Sequence, residues 1–238
     1  MKKRMDNAAR TRQRILAVFL PVTAVLYAGA VALNPKGTDQ VITATATAFK
    51  VLPIAARHSA QLYLSGSLTV LALGALAVSY AAITLLVTAR GWVIATVAAL
   101  LGGVGAFSGA LLNVLVGVNL AAAASAHMTQ QAAAVFLVTS FRSVPAQVVT
   151  DVYFVSEFAA PVIMGVALWR SRSVPRWLAV LFVLGLGIAE GLPSWGPIAL
   201  LFALPFAAAM VLLAARIWQA AALPASHDQE PTAVPATT

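Results

Sequence analysis

The stretch Pro145–Trp169, PAQVVTDVYFVSEFAAPVIMGVALW, is an apolar run of 25 residues that carries two carboxylates, Asp151 and Glu157. As a helix it would be about 37 Å long, against roughly 30 Å of bilayer hydrocarbon. Glu157 falls at its midpoint. A carboxyl at that depth costs about 2.5–3.5 kcal/mol even on insertion scales, so it marks a functional-site hypothesis. The fold follows from this run and others like it.

Working outward, the 238 residues are 61% hydrophobic and only 9% charged, with a mean hydropathy of +0.91. A soluble domain carries about 25% charged residues. The shortage implies an all-α, polytopic transmembrane helical bundle. The expected spans are 15–33, 62–89, 92–119, 145–169, 177–192 and 198–218, about six in all. A basic stub, 1–14, precedes them. A polar, Pro/Thr-rich tail, 219–238, follows and is expected to be disordered. The basic start before an apolar run also fits a signal peptide, but the run is of spanning length and is read as an uncleaved first span.

Two connecting segments are longer than turns. In residues 34–61 the stretch VITATATAFKVL alternates like a strand, but a helix lying at the membrane interface suits it better. Residues 120–144 contain AAAVFLVTSF, too short to span, and are expected to form an extra interfacial or re-entrant helix on the outer face. The third span has Gly102, Gly103, Gly105 and Gly109, including a GxxxG that permits close helix contact.

The net charge of +8 does not point to nucleic acid, because the basic residues sit at span ends. With the N-terminus inside, eleven Lys/Arg fall on inner segments: Lys2, Lys3, Arg4, Arg10, Arg12, Arg14, Arg90, Arg170, Arg172, Arg176 and Arg216. Four fall on outer ones: Lys36, Lys50, Arg57 and Arg142. The positive-inside rule thus places both termini in the cytoplasm of a multi-pass cell-membrane protein.

Several chemistries are excluded. There are no cysteines, hence no disulfide, thiolate catalysis, Cys-bound zinc or Fe–S cluster. The four lysines (Lys2, Lys3, Lys36, Lys50) all lie outside spans, so no retinal Schiff base can form. His58, His127 and His227 are scattered, with no HxxxH pair, and no metal or cofactor is expected. No P-loop, GxSxG or DxxxD occurs.

The candidate acids are Glu157, Asp151 and Glu190, with Glu157 first. Asp151 has a bland alternative as an ion-pair partner of Arg142, and Glu190 as a solvated interfacial group. On a helical wheel Glu157 shares a face with Tyr153, Phe154, Pro161 and Met164, and is about 120° from Asp151. A pocket touching both faces would be lined by Tyr153, Phe154 and Phe158. Asn113, Glu190 and Tyr27 fall in the same outer half of neighbouring spans. Asn113 and Tyr27, with Trp195 as a further aromatic face, complete the candidate substrate-binding set. Burial keeps a carboxyl protonated, as acid-initiated chemistry needs. Aromatic faces would stabilise a developing carbocation.

GVALWRSRSVPRWLAVLFVLG (Gly165–Gly185), with the basic stub and Leu33-Asn34-Pro35, resembles uncharacterised six-span membrane proteins of high-GC bacteria over residues 10–218. That resemblance implies a fold and no activity. The size, aromatic span interiors and few membrane carboxylates are similar to small integral-membrane terpene cyclases of meroterpenoid pathways. This second similarity implies a carboxylic acid that protonates an epoxide or alkene of an isoprenoid substrate entering from the lipid. No motif of that family matches residue by residue, so no site is carried over from it. The expected partners are the lipid bilayer and a hydrophobic isoprenoid-like molecule. The rival functions are a non-catalytic membrane subunit or assembly partner and a small proton-coupled carrier. Oligomeric state is not legible.

Overall fold

In the computed structural model, which describes residues 2–38, 42–87, 91–125, 128–191 and 195–222, eight helices form and no strand occurs among these residues. They are α1 (Lys2–Leu33), α2 (Thr45–Arg57), α3 (Ser59–Thr84), α4 (Trp92–Ser125), α5 (Gln130–Phe141), α6 (Val144–Ser171), α7 (Arg176–Gly191) and α8 (Gly196–Ala222). Five are long and apolar enough to cross a bilayer: α1, α3, α4, α6 and α8. The fifth expected span, 177–192, corresponds to α7, whose 16 residues make about 24 Å of helix.

Helix limits differ from the expected ones for local reasons. The first helix begins before the expected span: α1 starts at Lys2 and runs unbroken through the basic stub. The third span continues past Asn119 to Ser125, because AAAAS is helix-forming sequence. The second ends at Thr84, five residues early, in a turn closed by the Leu86 and Val87 N–H groups on the Ile83 and Thr84 carbonyls. The tail from 223 lies outside the described residues.

The six longest elements pack in chain order around a closed ring: α1 on α3, α3 on α4, α4 on α6, α6 on α7, α7 on α8, and α8 back on α1. The ring is filled. Tyr80 of α3 and Phe182 of α7, from opposite sides, meet edge-to-face with centroids 6.2 Å apart. Around them lie Leu20, Met164, Leu178, Phe206 and Met210, all essentially sealed from solvent. The outward faces are apolar instead: Val25, Leu100, Phe107, Val155 and Leu201 are each 64–71% exposed. Apolar side chains on both faces suit a bundle bathed in hydrocarbon.

The ring has two distinct ends. At one, Arg14 lies over the Trp218 ring at 5.9 Å and Arg176 over Trp169 at 5.1 Å. At the other, the Gly196 N–H donates to the Asn34 carbonyl at 3.3 Å. Both connecting segments at this second end form short helices. These are α5, in the region where an extra helix is expected, and α2, where the strand-like alternation yields to a helix. They pack on each other and on the end of α4 through a separate small core with Val51, Leu120, Ala134 and Leu137. Thr129 caps α5, accepting the Ala132 N–H at 3.3 Å.

Candidate functional site

Small residues on α4 set the geometry. A Cβ added at Gly105 would meet the Ser156 Cβ of α6 at 2.8 Å, and one at Gly109 would meet the Tyr153 ring at 2.6 Å. The expected GxxxG contact therefore exists, and its partner is α6. Gly102 makes room in the same way for Tyr80 of α3, while Gly103 faces open space.

Contact at these glycines fixes how α6 is turned. Ser156, Glu157, Ala160, Pro161 and Met164 point into the bundle. Glu157 is 7% exposed, and its Oε1 is shielded from solvent. Pro161 has no N–H to give to the carbonyl four residues before it, so the helical ladder is interrupted at Glu157. Tyr153 lies one turn before Glu157 on the same side, stacked obliquely on Phe154 with centroids 5.3 Å apart.

Beside Tyr153 is a cavity of about 790 Å³, between α1, α3, α4 and α6 and beneath α2 and α5. That volume is within the roughly 300–1,000 Å³ range of small-molecule sites. It gathers four of the expected binding residues: Tyr27, Asn113, Tyr153 and Phe154. Its other polar side chains are the Asn34 amide and hydroxyls such as Ser65, Thr69 and Thr150, and no charged side chain lies among its described lining. The hydroxyls are largely turned to backbone: Ser65 donates to the Ala30 carbonyl at 2.8 Å, Thr69 to Ser65 at 2.9 Å and Thr150 to Ala146 at 2.7 Å. Tyr63, Leu71, Val114, Val118 and Phe154 on its margin are 42–60% exposed, so it opens sideways through the ring wall. Gly66 and Gly117 also line it, and neither meets any atom within 4 Å of an added Cβ.

The other expected site residues are placed apart from it. Glu157 is not in the cavity wall, but one helical turn beyond Tyr153. Phe158 is 53% exposed on the outside of α6. Asp151 is exposed. Arg142, its expected partner, instead donates through Nε to the Thr43 carbonyl at 3.1 Å and ties α5 to the segment before α2. Trp195 lies under Lys36 Nζ at 4.8 Å. The Glu190 side chain lies outside the described residues. Asn113 bonds back to the Gly109 carbonyl of its own helix at 2.9 Å. The interhelical bonds come from other groups: Thr23 with Ser79 at 3.0 Å, and Tyr27 to the Ala189 carbonyl at 2.8 Å. No group of His, Asp or Glu suited to a metal occurs among the described residues.

The fold and cavity define a polytopic helical bundle with a lateral, uncharged groove. No protein-family model, curated protein or solved structure matches the chain.

Proposed function

We propose that this is an integral membrane protein, of six spans with both termini cytoplasmic, that takes an isoprenoid or similar lipid-like molecule into the groove at Tyr153. The observation that carries this reading is the groove itself: about 790 Å³, apolar, open sideways and without a charged side chain among its described lining. An ionised substrate would find no counter-charge there. A long apolar chain with a small hydroxyl, epoxide or carbonyl group would find hydrocarbon walls and a few hydroxyls. The plug of Tyr80 on Phe182 across the ring counts against a continuous water-filled path along its axis.

Binding is tested with purified protein and a panel of polyprenyl alcohols and terminal polyprenyl epoxides, read by native mass spectrometry. Gly66→Leu with Gly117→Leu fills the groove from positions with no neighbour to displace. Binding should fall at least tenfold (about 1.4 kcal/mol) in that variant. Equal retention by wild type and variant would sink the proposal.

Acid-initiated cyclisation or isomerisation is the second reading. It is favoured by one relationship: Glu157, buried, sits a single turn beyond groove-lining Tyr153. A substrate that reaches one turn past Tyr153 would meet a protonated carboxyl able to give its proton to an epoxide oxygen or alkene carbon, and the ring faces of Tyr153 and Phe154 would stabilise the cation. Loss of a proton from the cation would restore the acid, leaving an isomer of the substrate. Glu157→Gln should then abolish isomeric product, resolved by mass and retention time, while leaving binding intact.

A further inference from the structure

At the opposite end of the ring lies a second cavity, of about 770 Å³, lined by Arg170, Arg172 and Arg176 together with Trp92 and Trp169. Three local features assemble it. Arg172 has a φ of 54° and ends α6 in the left-handed conformation, which folds the chain back toward α7 and brings Arg176 close. Gly91 has a φ of 121°, and a Cβ there would press on the Ala167 carbonyl at 3.3 Å. Glycine thus lets the start of α4 approach the last turn of α6. The first-turn residues Trp92, Val93 and Ile94 of α4, whose N–H groups have no acceptor within the helix, line the cavity.

Nothing acidic balances this cluster in its own segments. The sequence has no Asp or Glu at positions 40–150 or 158–189, which include every residue of that wall. The Arg176 guanidinium lies over the Trp169 ring at 5.1 Å, which holds its plane and leaves N–H edges for an acceptor. Trp92 and Trp169 are 57% and 44% exposed at the end of the bundle, the level at which indole rings border lipid headgroups.

We propose that this cavity binds the phosphate headgroup of an anionic phospholipid. The guanidinium groups and the α4 N-terminus would take the phosphate oxygens, and the two indoles would flank the glycerol region. The phosphate chemistry is shared with free phosphate, but a lipid brings the indole contacts as well. This site is independent of the groove at Tyr153.

The test uses the full chain in detergent, with phosphatidylglycerol, phosphatidylcholine and inorganic phosphate each added and binding read by native mass spectrometry and thermal shift. Phosphatidylglycerol should bind at least tenfold more tightly than phosphatidylcholine. The triple variant Arg170→Gln, Arg172→Gln, Arg176→Gln should erase that preference, and Arg10→Gln with Arg12→Gln should keep it. Brominated lipids provide a measurement that needs no variant: brominated phosphatidylglycerol should quench wild-type tryptophan fluorescence more than brominated phosphatidylcholine does. Equal affinity for the two lipids overturns the proposal, as does an equal loss in the Arg10/Arg12 variant. Stabilisation by inorganic phosphate that matches that of phosphatidylglycerol overturns the lipid as occupant.

Discussion

Gly109 of α4 lies directly against the Tyr153 ring of α6, so close that a Cβ at position 109 would be 2.6 Å from it. That contact joins the ring of helices to the groove, since Tyr153 is both the packing partner of α4 and part of the groove wall. Gly109→Ala should therefore push the tyrosine aside, destabilising the protein by about 1–3 kcal/mol through overpacking. It should also weaken polyprenyl binding. Gly103→Ala is the internal control, because that position faces open space. Thermal unfolding in one detergent compares them. Equal stability of both alanine variants would show that the contact is not constrained.

The long apolar helices were legible in the sequence; the ring they close and the groove were not. Apolar runs free of charge locate the long helices because backbone hydrogen bonds must be satisfied internally in hydrocarbon. The buried acid at Glu157 was legible for the same reason, as the only carboxylate at mid-run. A helical wheel, however, cannot tell a core face from a lipid face when both are apolar. Phe158 and Phe154 look equivalent on it, yet one points out and the other borders the groove. The groove also depends on where α3 and α4 separate, around Gly66 and Gly117. Their spacing carries no signal distinct from that of Gly105 and Gly109, which do the opposite and close a contact.

The Thr23 and Ser79 hydroxyls are 3.0 Å apart between α1 and α3, and each also lies within reach of a carbonyl of its own helix, Phe19 for Thr23 and Ala75 for Ser79. With one proton on each hydroxyl, one of the two donates across the helices while the other donates to its backbone carbonyl. Because each hydroxyl has a backbone acceptor within reach, the bond across helices should be modest. A double-mutant cycle with Thr23→Val and Ser79→Ala should give a coupling of about 0.6 kcal/mol, and below about 1.7 kcal/mol. A larger coupling would mean that the pair forms part of an extended network.

Glu157 separates shape from charge. Glu157→Gln keeps the volume at a position 7% exposed and removes only the acid, so the protein should insert and melt within a few degrees of wild type. Glu157→Lys places an ammonium in the same apolar surroundings, where insertion costs about 2.5–3.5 kcal/mol. Its yield of monodisperse protein from membranes should fall several-fold. The two yields, measured by size-exclusion chromatography in parallel, check this; a lysine variant as abundant as the glutamine one would place the side chain in a solvated site.

The absence of cysteine makes the orientation of the ring directly measurable. Ser173 lies in the turn between α6 and α7, at the Arg-bearing end, and Thr38 lies in the segment between α1 and α2, at the opposite end. Both can be replaced singly by cysteine with no background thiol. Eleven of the fifteen basic residues fall on the segments joined at the first of these ends, so that end should face the cytoplasm. A membrane-impermeant maleimide applied to intact cells should therefore label Thr38→Cys and spare Ser173→Cys until the membrane is opened. Labelling of both positions from the same side would also be decisive. Residues 38 and 173 are separated by three long helices, α3, α4 and α6, whatever the course of α7 and α8. Same-side labelling would then require one of these three long helices not to cross, against their 26, 34 and 28 residues.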